Sequence, residues 1–166
     1  LGAQDYERAR GREGGRASGS EGVTVFVELL LSLVLFVLKG NIMNTIITHR
    51  ELNVYNAAFK ISMDIFRLTK SFPKDEEWSL TSQIRRSSRS VCANIAEAFR
   101  KRRYEKSFVA KLSDSEAEAG ETQVWLEYSY ECEYITKDVY IKIFNEYEKV
   151  IGMLVNMLKH PEKWSY

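Results

Sequence analysis

The sequence predicts an all-α protein, an antiparallel up-and-down four-helix bundle, on three observations. Apolar residues recur at gaps of three and four along four successive stretches, which places each set on one face of a helix. No stretch alternates apolar and polar residues with the period of two that a half-buried strand requires. The breaks between stretches are short, so consecutive helices must run antiparallel. At 166 residues, 45% of them hydrophobic, the chain has apolar material for one globular domain with a sizeable core.

The first helix starts near Glu51, where Val54, Ala58, Ile61, Ile65, Leu68 and Phe72 alternate gaps of four and three, a helix–helix seam. Phe72-Pro73 ends it, because proline pushes the preceding residue out of the helical region. Pro73 to Trp78 is an acidic connector, and Ser79 is placed to cap the second helix. That helix carries Leu80, Ile84, Ser88, Val91, Ile95 and Ala98 on one face and is expected to run to about Phe99.

The third helix is predicted from about Tyr104 to Glu133, with Phe108, Leu112, Ser115, Ala119, Thr122, Leu126 and Ser129 in its seam. Small residues dominate its middle, which allows close helix approach, and Trp125 and Tyr128 are expected near the seam to fill space beside them. Gly120 costs about 1 kcal/mol relative to Ala, which the long periodicity outweighs. Thr136 caps the fourth helix and Asp138 complements its dipole. Tyr140, Ile143, Tyr147, Ile151, Leu154 and Leu158 form its stripe, and His160-Pro161 stops it.

Residues 1–42 read differently from the 43–166 domain. Leu1 to Gly22 is rich in Gly, Arg, Ser and Glu without an apolar period, the composition of a disordered segment. Val23 to Leu38 is apolar but shorter than the ~20 residues of a bilayer span. A signal peptide, a membrane anchor and an upstream region translated in error all compete for it. No small-residue cleavage pattern follows Leu38, and the reading preferred here is a gene-model artefact with Met43 as the natural start. A genuine segment would tether the domain to a membrane; otherwise the cytoplasm is expected.

Charge is informative through its distribution, since the net value is only +1. Arg85, Arg86, Arg89, Arg100, Lys101, Arg102, Arg103 and Lys106 are opposed locally only by Glu97 and Glu105. Downstream, Asp114, Glu116, Glu118, Glu121, Glu127, Glu131 and Glu133 face the single Lys111. Opposed patches of this kind attract a polyanion or a further copy of the chain.

Catalysis finds no support. His49 and His160 lie at opposite ends of the domain, so neither a His-based triad nor a two-His metal site is suggested. Glu116 and Glu118, two apart on a helix, point to different faces. There is no Glu-x-x-His pair for a di-iron bundle and no glycine-rich phosphate loop. No cofactor, metal or small-molecule substrate is therefore expected. Cys92 and Cys132 have no metal-ligand spacing and are read as two buried thiols.

The block LTSQIRRSSRSVCANIAEAFRKRR, Leu80 to Arg103, resembles the small four-helix-bundle proteins first noticed as reading frames inside intervening sequences of bacterial 23S rRNA genes. Their usual pattern is LTSQ-(I/L)-RR followed by ANIAEG, and SDSEAEAGET in the third helix is similar to a further family pattern. The resemblance extends over about Met43 to Trp164; Ala98 departs from the usual glycine at the end of helix two. It implies a bundle and a homo-oligomer, since several members are cyclic homopentamers. A diverged branch similar in fold, the accessory variability proteins of diversity-generating retroelements, binds nucleic acid and associates with a reverse transcriptase.

Two functions follow as expectations. In one, the arginines of helix two and the Arg100 to Lys106 connector contact phosphates of structured RNA or an RNA–DNA hybrid, Arg matching phosphate oxygens with its planar fork. Tyr104 among them offers a stacking ring, with a structural role the blander reading. In the other, the protein is an oligomeric scaffold for a protein partner, and the same arginines form ion pairs with the acidic third helix or between subunits. Asn94 is expected to bond between helices, not to touch a ligand.

Overall fold

The computed structural model describes residues 25–32 and 46–165, which fall in two units, Leu1–Thr45 and Ile46–Tyr166, taken separately here. In the first unit residues 25–32 are helical, with Val25, Phe26, Val27, Leu29, Leu30 and Leu31 exposed. The expectations for the Gly-rich stretch, for the remainder of the apolar run and for Met43 as a start lie outside the described residues. Among the described residues, no helix is long and apolar enough to cross a membrane.

The second unit contains helices α1 (Asn53–Leu68), α2 (Leu80–Lys101), α3 (Glu105–Glu131) and α4 (Lys137–Lys159), with short 3₁₀ turns between and around them and no strand among the described residues. Each helix packs on two others, α1 on α2 and α4, and α3 on α2 and α4, which closes the four into the predicted bundle. Ile65, Ile84, Val91, Ile95, Phe108, Leu112, Leu126, Val150 and Leu154 are fully buried at its centre.

The α2–α3 pair is the most extensive, and small side chains explain it. Ser87, Ser88 and Ala98 on α2 and Ser115, Ala119 and Thr122 on α3 are all buried, so the two backbones approach closely. Their hydroxyls are satisfied at short range: Ser115 Oγ donates to the Val91 carbonyl across the seam at 3.0 Å. Thr122 Oγ1 lies 2.8 Å from the Glu118 carbonyl and 2.9 Å from Ser87 Oγ. At the seam's edge Lys111 Nζ donates to Asn94 Oδ1 at 3.2 Å and pairs with Glu97 and Asp114, so Asn94 bonds between helices as expected.

All seven predicted seam residues of α3 are buried. In α4 the stripe is broader than predicted: Val150 and Met157 join the core, while Tyr140, Ile151 and Leu158 pack at its margin. A helix wedged between two neighbours buries a wider arc than one seam.

Several expectations are corrected. Ser79 is the N-cap residue of α2 but its hydroxyl does not cap the helix; Glu76 Oε2 accepts both the Ser79 hydroxyl and the Leu80 N–H, and Oε1 accepts the Tyr134 hydroxyl at 3.1 Å. Tyr128 is 53% exposed and not a space-filler at the seam. Cys132 is exposed, because it is the residue on which α3 ends, whereas Cys92 is buried. Thr136 caps α4 as predicted, accepting the Val139 N–H at 3.4 Å.

Candidate functional site

Helical periodicity distributes the basic residues of α2 over two flanks. Arg85 and Arg89, four apart, point toward α1, whereas Arg86 is turned toward α3, where its charge partly offsets the raised pKa of Glu118. Partial burial is the main cause of that rise, with Glu121 adding to it.

On the α1 flank the cations gather round one ring. Lys70 Nζ lies 5.1 Å from the Phe66 centroid, Arg85 Cζ 5.2 Å and Arg89 Cζ 5.7 Å. The ring quadrupole attracts each of them by about 0.5–1 kcal/mol at an exposed site. Arg85 is further fixed by its Nε, which donates to Thr69 Oγ1 at 2.7 Å. None of the three has an ion pair within 4 Å among the described residues. The one carboxylate of α1, Asp64, is bound to Arg67 at 2.9 Å. Three cations held together without a counter-ion make a site of positive potential suited to an anion.

The Arg100 to Lys106 group lies at the other end of α2, roughly 22 Å from Arg85 by helix rise. Its members are not equivalent. Arg100, Arg103 and Lys106 are exposed. Lys101 reaches Glu97 at 3.9 Å. Arg102 is half-buried and structural: it donates to the carbonyls of Phe99 (3.0 Å) and Ile46 (3.4 Å) and lies 3.7 Å over the Phe99 ring. Tyr104 is exposed beside them.

Lys70 and Phe66 escaped the sequence reading. Phe66 lies on α1 and Lys70, four residues on, in the 3₁₀ turn that follows it (Thr69–Ser71), and only the pairing of α1 with α2 brings them to the arginines. The carboxylates of α3 form no comparable cluster. Among the described residues, no group of His, Cys, Asp and Glu could hold a metal ion.

Fold and site together define an all-α four-helix bundle with a cationic flank. The chain belongs to the 23S rRNA-intervening sequence protein family, whose sequence pattern matches residues 50–156. Among solved structures, it is similar to a protein of unknown function from the S23 ribosomal protein family of Bacteroides thetaiotaomicron VPI-5482. The two are 31% identical, the match covers 64% of this chain and 95% of that one, and the TM-score is 0.59. No curated protein matches this chain.

Proposed function

We propose that this protein is a non-catalytic, oligomeric bundle that binds structured RNA or an RNA–DNA hybrid through the basic flank of α1 and α2. The observation that carries the reading is the convergence of Lys70, Arg85 and Arg89 on Phe66 with no carboxylate within 4 Å among the described residues. A cluster of this kind is unfavourable in isolation and gains by releasing counter-ions from a phosphate backbone. Arg100, Arg103 and Lys106 extend the same charge to the end of α2, and copies of the bundle in an assembly multiply weak contacts. The family's name refers to an rRNA gene sequence and supplies no reaction.

The second reading, a protein scaffold, draws on Trp78, which is 86% exposed, and on the exposed Tyr128. Ion pairing of Arg85, Arg86 and Arg89 to α3 within the bundle gives it no support, as none of them has a carboxylate within 4 Å among the described residues. Inter-subunit pairing is what remains of it. The variant Lys70→Gln/Arg89→Gln separates the two. Weaker RNA binding and a shallower salt dependence at unchanged assembly mass support the nucleic-acid reading; a changed assembly mass with no RNA affinity in either protein supports the scaffold.

A further inference from the structure

Alongside the cation cluster runs a groove whose lining is mostly apolar, with Ser62, Cys92 and Arg89 among its polar members. It has a volume of about 270 Å³ and lies between α1, which contributes Tyr55, Phe59 and Met63, and α2, which contributes Arg89, Ala93 and Ala96. Tyr55 and Phe59 are stacked, 6.0 Å between centroids at 19°, and Phe59 is 49% exposed. A single exposed apolar ring is ordinary. Here the ring belongs to a row: Tyr55, Phe59 and Phe66 follow at gaps of four and seven along one face of α1, opposite Arg85, Arg89 and Arg100 at gaps of four and eleven along one face of α2.

We infer that this groove receives unpaired nucleobases, stacked on Phe59 and Tyr55, with the strand's phosphates on Arg89 and the Phe66 cation cluster. The inference rests on the nucleic-acid reading above and narrows its ligand to a single-stranded segment.

Three features select that occupant. The first is charge complementarity. The carboxylates of α1 and α2 are Asp64, paired to Arg67, and Glu97, paired to Lys101 and Lys111, so neither opposes an anionic strand along the groove. The second is size. The volume falls below the roughly 300 Å³ at which pockets for drug-sized ligands begin, and the groove is partly open to solvent, which suits flat rings entering from a chain. Ala93 and Ala96 keep the α2 wall low enough for a ring to lie against Phe59. The third is span. Tyr55 to Phe66 rises about 16 Å, the length of roughly four or five nucleotides at ~3.4 Å each. A positive groove lined by rings is the general design of single-strand binders, because every base has a π face. A duplex keeps its bases stacked inside, so its phosphates reach the arginines but its bases do not reach Phe59.

The test titrates the full chain into a short single-stranded oligonucleotide carrying a fluorescent adenine analogue, made as RNA and as DNA, and into the same sequence as a duplex. Wild type should quench the analogue on binding. Phe59→Leu keeps an apolar side chain but removes the π face, and Ala93→Glu narrows the groove from an exposed position. Both should lose the quenching and weaken single-strand binding about tenfold or more, with duplex binding and assembly mass as in wild type in Phe59→Leu, which changes no charge; the new carboxylate of Ala93→Glu sits four residues from Arg89 and is expected to weaken duplex binding as well. The RNA and DNA forms show whether the 2′-hydroxyl contributes. Unchanged single-strand affinity in Phe59→Leu, with duplex binding present, overturns the groove inference and spares the wider reading. A changed assembly mass in Phe59→Leu overturns it by making the groove a contact between copies of this chain. No binding of any nucleic acid by wild type overturns both.

Discussion

Arg85 is tied to Thr69: its Nε donates to the buried Thr69 hydroxyl at 2.7 Å, while Thr69 in turn donates to the Ile65 carbonyl at 2.9 Å. The bond ties the C-terminal end of α1 to the first turns of α2 and leaves the two terminal nitrogens of the guanidinium with no protein partner among the described residues. One side chain thus locks a helix pair and presents a free fork. Arg89, exposed and held among the described residues only by the Phe66 ring, has no such bond.

Substitution should separate the two arginines by stability. Arg85→Gln is expected to cost about 1 kcal/mol through the lost bond to Thr69. Arg89→Gln should stay within about 0.5 kcal/mol of wild type. Urea unfolding of the two variants checks this; equal effects would mean that the Thr69 bond contributes nothing.

The end of α3 carries a strained residue. Glu133 has φ of 59°, the left-handed region. It closes the helix by the two bonds of a Schellman motif, Tyr134 N–H to the Ser129 carbonyl and Glu133 N–H to the Tyr130 carbonyl, both 2.9 Å. A side chain is disfavoured there and glycine is not. Glu133→Gly should therefore raise stability by up to about 1 kcal/mol, after the entropy glycine costs in the unfolded chain. A lower melting temperature would contradict it.

Tyr147 is fully buried, and burial pushes its hydroxyl far above the ordinary tyrosine range. Tyr147 Oη has no hydrogen-bond partner of good geometry among the described residues. Removing a buried, unpaired hydroxyl relieves a penalty of about 1–3 kcal/mol. Tyr147→Phe should consequently be neutral or more stable in thermal unfolding, and a loss of more than ~1 kcal/mol would show that the hydroxyl has a partner.

Glu76 makes the start of α2 sensitive to acid. The Ser79 hydroxyl, then the Leu80 N–H, hold its carboxyl below the ordinary value of 4.5, with Tyr134 adding to the effect. A carboxyl that is more acidic folded than unfolded contributes stability above its unfolded value and loses it as pH falls through the folded one. Wild type should be more stable than Glu76→Gln at neutral pH, and the gap should close as pH drops below 4.5. A gap constant with pH would remove the carboxylate from the cap.

The helices were legible because burial in a bundle follows a period that one chain displays locally. Every seam residue of α3 could be read from gaps of three and four. Glu76 could not be read as a cap, because its carboxylate reaches α2 through a 3₁₀ turn that shifts the register by a few residues. The site was half legible. Arg85 and Arg89 stand out in the sequence, but their union with Lys70 over Phe66 depends on a contact between residues 15 or more positions apart. Arg102, counted with the basic residues, is fastened to backbone carbonyls by its fork, which charge patterning does not reveal.

The most direct measurement of the central claim is the affinity of the intact chain for a labelled structured RNA by fluorescence anisotropy across a salt series. Binding through the Phe66 cluster and the exposed residues Arg100, Arg103 and Lys106 predicts that log affinity falls linearly with log salt. The slope should be about −0.7 to −0.9 for each phosphate neutralised, and unlabelled RNA should compete. No binding at low salt by a protein whose assembly is verified intact would contradict the claim and leave Lys70, Arg85 and Arg89 with a structural role.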